Sequence, residues 1–563
     1  MLITFLIWLV AGSAALGYGL IAFRTESPGT PLTRLEPESF AVRLYLGFLL
    51  ISSALLAIAL LTNVSWWLGL ALAVPGIVIA AAQFSRAHPR STLRGPIASA
   101  WIYSGIGLLI LAFFVSTADV QFFDTGLYHQ QMAKWLSDYG LVPGVALIHL
   151  CLGLTSSWFA GAATLNHGPL RGREAAIIGG LPFALMTISS AAVAWRYRLA
   201  GILPGVRGLT WSLFCGMLLV VSIRWSIESS LSPDIMIWLL PGVVALVLTD
   251  PSTKKSDSVG LALLISSLVF TVKLSAAPLI AYCGLLWLWQ FFRDRRARKA
   301  LLVYLGLALA AILVLAAANI RTSGCPLYPS PIGCTTGDSS VGSDFAARLV
   351  KGVSDFAVQG NRYIAWFVIV ALAGTVFALK RLWKDPFVFH GLAASWCGSV
   401  FILITAPNPR FGMGYLLLPV AMSLAILVQS IHRKWPTVPA AGRWLLPWVT
   451  AVAALIFLGL SIRRADSPLS LLLPNRIASA EGDPIHIVNQ KLNTRTRLSL
   501  IHFKLGDVLV VSPRSSDQCW DAALPCAGEI RQSVELKEPA QGFRGGFRRS
   551  SSRLQPGDSA VGH

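Results

Sequence analysis

Charge is what this chain has least of. Asp, Glu, Lys and Arg make up only 13% of its 563 residues, against roughly a quarter in soluble domains. With 55% hydrophobic residues and a mean hydropathy of +0.65, that scarcity excludes an ordinary soluble globular protein. Acids are scarcer still, 26 against 46 bases, and the net charge of +20 invites a nucleic-acid reading. The distribution argues against it. Lys and Arg sit in short clusters between apolar runs and in the last twenty residues, where positive-inside topology or a solvated tail accounts for them. There is no C-x-x-C or Cys/His zinc pattern and no repeat of fixed period. The start also lacks the positive region of a cleaved signal peptide, so MLITFLIWLVAGSAALGYGLIAF reads as a retained first helix.

What is present is a series of apolar runs. After the first they fall at about 41 to 61, 64 to 83, 97 to 117, 174 to 195, 211 to 223, 235 to 249, 258 to 273, 275 to 292, 299 to 319, 363 to 380, 387 to 406, 411 to 430 and 443 to 462. Most approach the roughly 20 residues a bilayer needs, which predicts an all-α polytopic membrane protein of about fourteen transmembrane helices.

Orientation follows from the basic clusters. RDRRARK at 293 to 299, KRLWK at 380 to 384, HRK at 432 to 434 and Arg86, Arg90 and Arg94 mark the cytoplasmic side. Alternation then places 321 to 362, 407 to 410 and everything after 462 outside. The positive stretch RYRLAGILPGVR at 196 to 207 stays inside only if 118 to 173 is one large outer loop. Its apolar part, 148 to 165, then packs at the interface or is re-entrant. The expected division is N-terminal helices over 1–96, a core over 97–463, a small extracytoplasmic domain over 464–540 and a disordered basic tail over 541–563. Strand-like runs such as DVLVVS at 507 to 512 mark the third part, and a shortage of apolar residues marks the tail.

Cysteines agree with that orientation. Cys325 and Cys334, in CPLYPSPIGC, and Cys519 and Cys526, in CWDAALPC, fall in expected outer segments and predict two local disulfides. Cys151, Cys215, Cys283 and Cys397 lie in or beside apolar segments and read as buried small hydrophobes.

The chemistry concentrates in ADVQFFDTGLYHQQMAKWLSDYGLVPG, residues 118 to 144, a polar segment directly after a long apolar run. It brings Asp119, Asp124, Tyr128, His129 and Lys134 together with Phe122, Phe123 and Trp135. Asp124 and Asp234, the latter in SSLSPDIMIWLLPG, are candidate carboxylates; each also has a reading as a helix N-cap. Lys273, Arg321, Arg362 and Arg410 flank apolar segments on the same expected side, where an unpaired charge is costly and Arg suits a phosphate. Arg362 also reads as a snorkelling residue.

DTGLYHQQMAKWLSDYGLVPG, LGLTSSWF at 152 to 159, SPD at 232 to 234, SGCPLYPS at 323 to 330 and NPRFG at 408 to 412 together resemble an uncharacterised family of bacterial multi-spanning membrane proteins. The likeness covers about 100 to 530. In architecture that family resembles the GT-C class of glycosyltransferases. The resemblance implies a polyprenyl-phosphate-sugar donor, an essential acid in the first outer loop, and often a divalent cation such as Mg or Mn. Asp124 matches the first-loop acid, with Asp119 as second choice and Asp234 as the later acid. Asp124 and Asp234 would hold the metal, while Arg410 or Lys273 would bind phosphate, and Arg321, Tyr128 and His129 are further substrate-binding candidates. The chain departs from that class in having three helices ahead of the one that leads into the loop, and no adjacent acid pair there. The expected function is sugar transfer from a lipid phosphate to a saccharide or protein acceptor on the outer face of a bacterial inner membrane. The rivals are a transporter or flippase of a lipid-linked saccharide and a polymerase or ligase that uses Arg410 and His149.

Overall fold

The computed structural model describes residues 1–22, 37–87, 96–200, 205–359 and 363–434, most of 500–550, and short pieces between 459 and 497. Helices α1 (Leu2–Ala22), α2 (Pro37–Ala59), α3 (Trp66–Ala87) and α4 (Pro96–Thr117) lead into the polar loop, which carries α5 (Gln130–Asp138) and α6 (Ser157–Ala163). The bundle continues through α7 (Glu174–Ala200), α8 (Val206–Arg224), α9 (Asp234–Leu248), α10 (Lys255–Val272), α11 (Ala277–Arg293) and α12 (Arg298–Ser323). A second loop contains α13 (Gly342–Gln359) and is followed by α14 (Ile364–Ala378), α15 (Pro386–Thr405) and α16 (Pro409–Lys434).

Among the described residues, 11 helices are long and apolar enough to cross a membrane, and Gly105–Thr117 and Asp234–Leu248 are shorter apolar helices. The chain is a multi-pass, essentially all-helical membrane protein. Apart from residue 459, the apolar run at 443 to 462 lies outside the described residues, as do Arg90, Arg94 and Arg362. The stretch 148 to 165 forms no span. It holds the 3-10 turn Leu150–Gly153 and the seven-residue α6, whose residues are all buried.

A helix that is apolar on every side must be buried on every side. That is the case for α9, buried from Asp234 to Val247, and nearly so for α10; the two form the centre of the bundle. By contrast α3, α11, α12 and α14 leave large apolar side chains exposed, among them Trp67, Trp289, Val303 and Val376. In water such surfaces would drive aggregation, whereas lipid tails match them. Small residues let the first three helices touch backbone to backbone. An added Cβ on Gly47 of α2 would lie 1.7 Å from the Ala15 carbonyl oxygen of α1.

Away from the membrane-spanning part, three segments share one small core. Trp135, Val145 and Leu147 of the polar loop meet Tyr328 and Val341 of the second loop and Val510, Val534 and Phe547 of the C-terminal region. Backbone bonds fasten them: Gly144 N–H donates to the Arg321 carbonyl and Phe547 N–H to the Pro143 carbonyl, both at 2.9 Å. The C-terminal region contributes three antiparallel ribbons, β1 (Pro484–Ile485) with β2 (Thr496–Arg497), β3 (Leu500–Leu505) with β4 (Val508–Pro513), and β5 (Val534–Leu536) with β6 (Phe547–Arg549).

The structure corrects two expectations. Disorder does not begin at 541, because Pro539–Gly545 is a turn, β6 follows it, and Phe543 and Phe547 pack edge-on against Trp135. Two phenylalanines suffice once a partner four hundred residues away supplies the other side of the core, and a local composition cannot register that. Cys215 and Cys283 are buried as expected, but Cys397 is exposed on α15. Both expected disulfides, Cys325–Cys334 and Cys519–Cys526, are formed.

Candidate functional site

Four separate elements bring Asp124, Asp234, Lys273 and Arg410 into one ion network at the loop end of the bundle. Asp234 opens α9, Lys273 caps the C-terminus of α10, Arg410 lies in the first turn of α16, and Asp124 precedes the π-helical turn Thr125–His129. Arg410 Nε donates to Asp234 Oδ2 at 2.6 Å and Arg410 Nη2 to Asp124 Oδ2 at 2.5 Å. Lys273 Nζ donates to Asp234 Oδ1. Two carboxylates and two cations balance, which is how charges survive beside a membrane interior. The network is closed at one end and open at the other. The Asp234 side chain is 1% exposed, against 22% for Asp124 and 27% for Lys273.

The local sequence explains the aim of each group. Arg410 N–H is taken by Asn408 Oδ1 at 3.0 Å and its carbonyl accepts from Trp238 Nε1 at 2.7 Å, so α16 starts in a fixed register against α9. The Arg410 guanidinium lies 4.3 Å from the Phe122 ring centroid, and Lys273 Nζ lies 4.6 Å from that of Phe411. These faces favour a cation and narrow its rotamers. Neither carboxylate caps its helix: Asp124 stands at the N-cap position and Asp234 in the first turn, both helix starts lack a side-chain cap bond, and both carboxylates turn to the cations instead. Burial favours the neutral form of Asp124, but Arg410, with help from His129, outweighs it and holds the carboxyl below the usual range.

His129 and Tyr128 lie beside Asp124 on the π turn, a local geometry often found at functional sites. The His129 ring sits 4.4 Å from Tyr128 and 5.0 Å from Phe159. Burial pushes its imidazole down to about 3 despite the Asp124 carboxylate. Both ring nitrogens are buried without a hydrogen-bond partner among the described residues. Asp119 is in the same loop, its carbonyl accepting from Ser229 Oγ at 3.0 Å. Arg321 stands apart from the network, with Nη1 on the Leu60 carbonyl at 2.6 Å, so it ties the end of α12 to the turn after α2.

The metal reading fits these residues poorly. A hard divalent cation needs about six oxygen ligands. Here the Arg410 guanidinium occupies the space between Asp124 and Asp234, and no three metal-binding side chains meet among the described residues.

A second polar cluster forms around Lys134, whose partners the sequence did not reveal. Lys134 pairs with Asp521 at 3.1 Å, and Gln130 Nε2 donates to Glu174 Oε1 at 2.7 Å, all of it buried. One signal was visible: Asp521 lies between two cysteines in CWDAALPC, a ring short enough to present it.

No curated protein and no solved structure matches the chain. The sequence profile of a family described as Domain of unknown function (DUF8201) matches residues 1–348, which include Asp124, Asp234 and Lys273 but end before Arg410. Because the match covers more than half of its length, the chain belongs to that family.

Proposed function

We propose that the protein is a glycosyltransferase of GT-C-like architecture that moves a sugar from a polyprenyl-phosphate donor to a cell-envelope acceptor. The reaction would take place on the outer face of a bacterial inner membrane. The observation that carries this reading is the four-membered network, in which two cations at the membrane edge are neutralised by acids that an anionic headgroup can displace.

The mechanism follows from the exposures. The donor phosphate approaches from the open side and takes hydrogen bonds from Lys273 and Arg410, a geometry that Arg supports with two parallel donors. Asp234, deeply buried, keeps Arg410 in place. Asp124 is released from Nη2 and becomes the general base for an acceptor hydroxyl. As the acceptor oxygen bonds to the anomeric carbon, the bond from that carbon to the phosphate oxygen breaks, and the anomeric configuration inverts. Lys273 and Arg410 hold the charge that gathers on the departing phosphate. A cavity of about 270 Å³ supports a lipid substrate: Trp8, Leu44, Phe48, Leu108, Leu185 and Leu239 line it, and α9, which carries Asp234, contributes to its wall.

Asp124→Asn should lower transfer by about 10²–10⁴-fold, the range general-base loss produces, while the chain still inserts and folds. Full activity of this variant with a polyprenyl-phosphate sugar in proteoliposomes would sink the assignment. A transporter is the second reading, favoured by buried charge at the other end of α9. There Ser39 Oγ donates to Asp250 Oδ2 at 2.6 Å, and Arg43 Nη1 to the Ser39 carbonyl at 2.8 Å. Between the two ends α9 is apolar throughout, which supports surface chemistry over a polar route.

A further inference from the structure

Asp124 is gripped on both sides by a segment from the far end of the chain. Gln518 Nε2 donates to the Phe123 carbonyl at 2.8 Å across 395 residues, and Trp520 N–H donates to the Gly126 carbonyl, also at 2.8 Å. The same short segment is anchored one and two turns further along α5. Gln131 Nε2 donates to the carbonyls of Trp520 at 2.9 Å and Ala522 at 3.1 Å. Lys134 Nζ donates to the carbonyls of Asp521 at 3.0 Å and Ala522 at 2.9 Å, and pairs with the Asp521 carboxylate. The Cys519–Cys526 disulfide closes these residues into a ring.

Two features show that the seat is built for this fit. Trp520 has φ of +47°, a left-handed value that a bulky residue rarely adopts. Its ring fills the space over Gly126, where an added Cβ would come within 2.5 Å of it. A backbone strained at a fully packed contact persists only when its surroundings hold it there.

We propose that the disulfide-closed loop Cys519–Cys526, together with Gln518, is a positioning clamp for Asp124, with Trp520 as its wedge and the Asp521–Lys134 pair as its anchor. The clamp acts on the backbone on either side of Asp124 and sets where the carboxylate meets Arg410. It makes the C-terminal region part of the site although it contributes no reacting group. The proposal rests on the reading of Asp124 as the reacting carboxylate.

The test needs no donor substrate. The full chain in lipid nanodiscs is treated with a water-soluble carbodiimide and an amine, and mass spectrometry reads the rates at Asp124 and Asp234. Trp520→Ala and Gly126→Ala should each speed labelling of Asp124 by about tenfold, a coupling of the size that contacting residues show. Asp234 should change far less. The double variant should label no faster than Trp520→Ala alone, because the atoms nearest the new Cβ all belong to the ring that has been removed. Trp520→Phe, which keeps a ring, should restore most of the protection. If Trp520→Ala does not fold, Gln518→Ala reads the other side of the clamp. Unchanged Asp124 labelling, equal acceleration at Asp234, or additive single effects would overturn the proposal. Because labelling reports position and Asp124→Asn reports chemistry, each can fail while the other stands.

Discussion

Asp124 and His129 are five residues apart in the chain and respond to acid in the same direction for different reasons. His129 has a folded pKa of about 3 against 6.5 for an unfolded imidazole. From pH 6.5 downwards the unfolded chain takes up a proton that the folded chain refuses, so its contribution to stability is present above 6.5 and lost as pH falls towards 3. Asp124 is held below its ordinary 3.8, so its contribution is present above 3.8 and lost only as pH falls through the lower folded value. The share of the thermal midpoint that His129 carries should therefore begin to fall near pH 6.5, above the range in which Asp124 titrates. His129→Gln should flatten the part of the curve above pH 4 relative to wild type. An unchanged slope there would show that His129 is not buried as a neutral ring.

Helices in this protein are positioned by what they lack as much as by what they carry. α1 and α2 approach until Gly47 has no space for a methyl group, because the Ala15 carbonyl lies where a Cβ would stand. Gly306 of α12 faces open space, with nothing within 4 Å of an added Cβ. Gly47→Ala should cost about 1–3 kcal/mol, the usual penalty of overpacking, and should lower the thermal midpoint in detergent. Gly306→Ala should leave it unchanged. Equal midpoints would mean that α1 is free to move away from α2. The same element scale separates what could be read in advance from what could not. α9 and α10 were legible as apolar runs. Their central place was not, because an apolar run reads alike whether it faces lipid or protein.

The whole molecule is a bundle with a capped end. Three loops separated by about two hundred residues each share one core over the ion network, and alternation of the helices puts the basic segment at 293 to 299 at the opposite end. If the capped end faces out of the cell, a cysteine at exposed Lys351 of α13 will react with a membrane-impermeant maleimide on intact cells. One at exposed Arg296, in the turn between α11 and α12, will react only after permeabilisation. The reverse pattern would turn the molecule over and place the network in the cytoplasm.

The helical, multi-pass character was determined by the sequence alone, since a bilayer reads the length of an apolar run locally, residue by residue. The sequence also determined which side chains needed partners: Asp124, Asp234, Lys273 and Arg410 stood out as charges at the ends of such runs. Tertiary structure decided that they partner one another, across 286, 176 and 39 residues. It also decided that Arg321 turns away, that Phe547 is ordered, and that Trp520 closes over Gly126. Each of these depends on which distant surfaces meet. No local pattern encodes that meeting, because the free energy of a contact exists only once both of its halves have been packed into place.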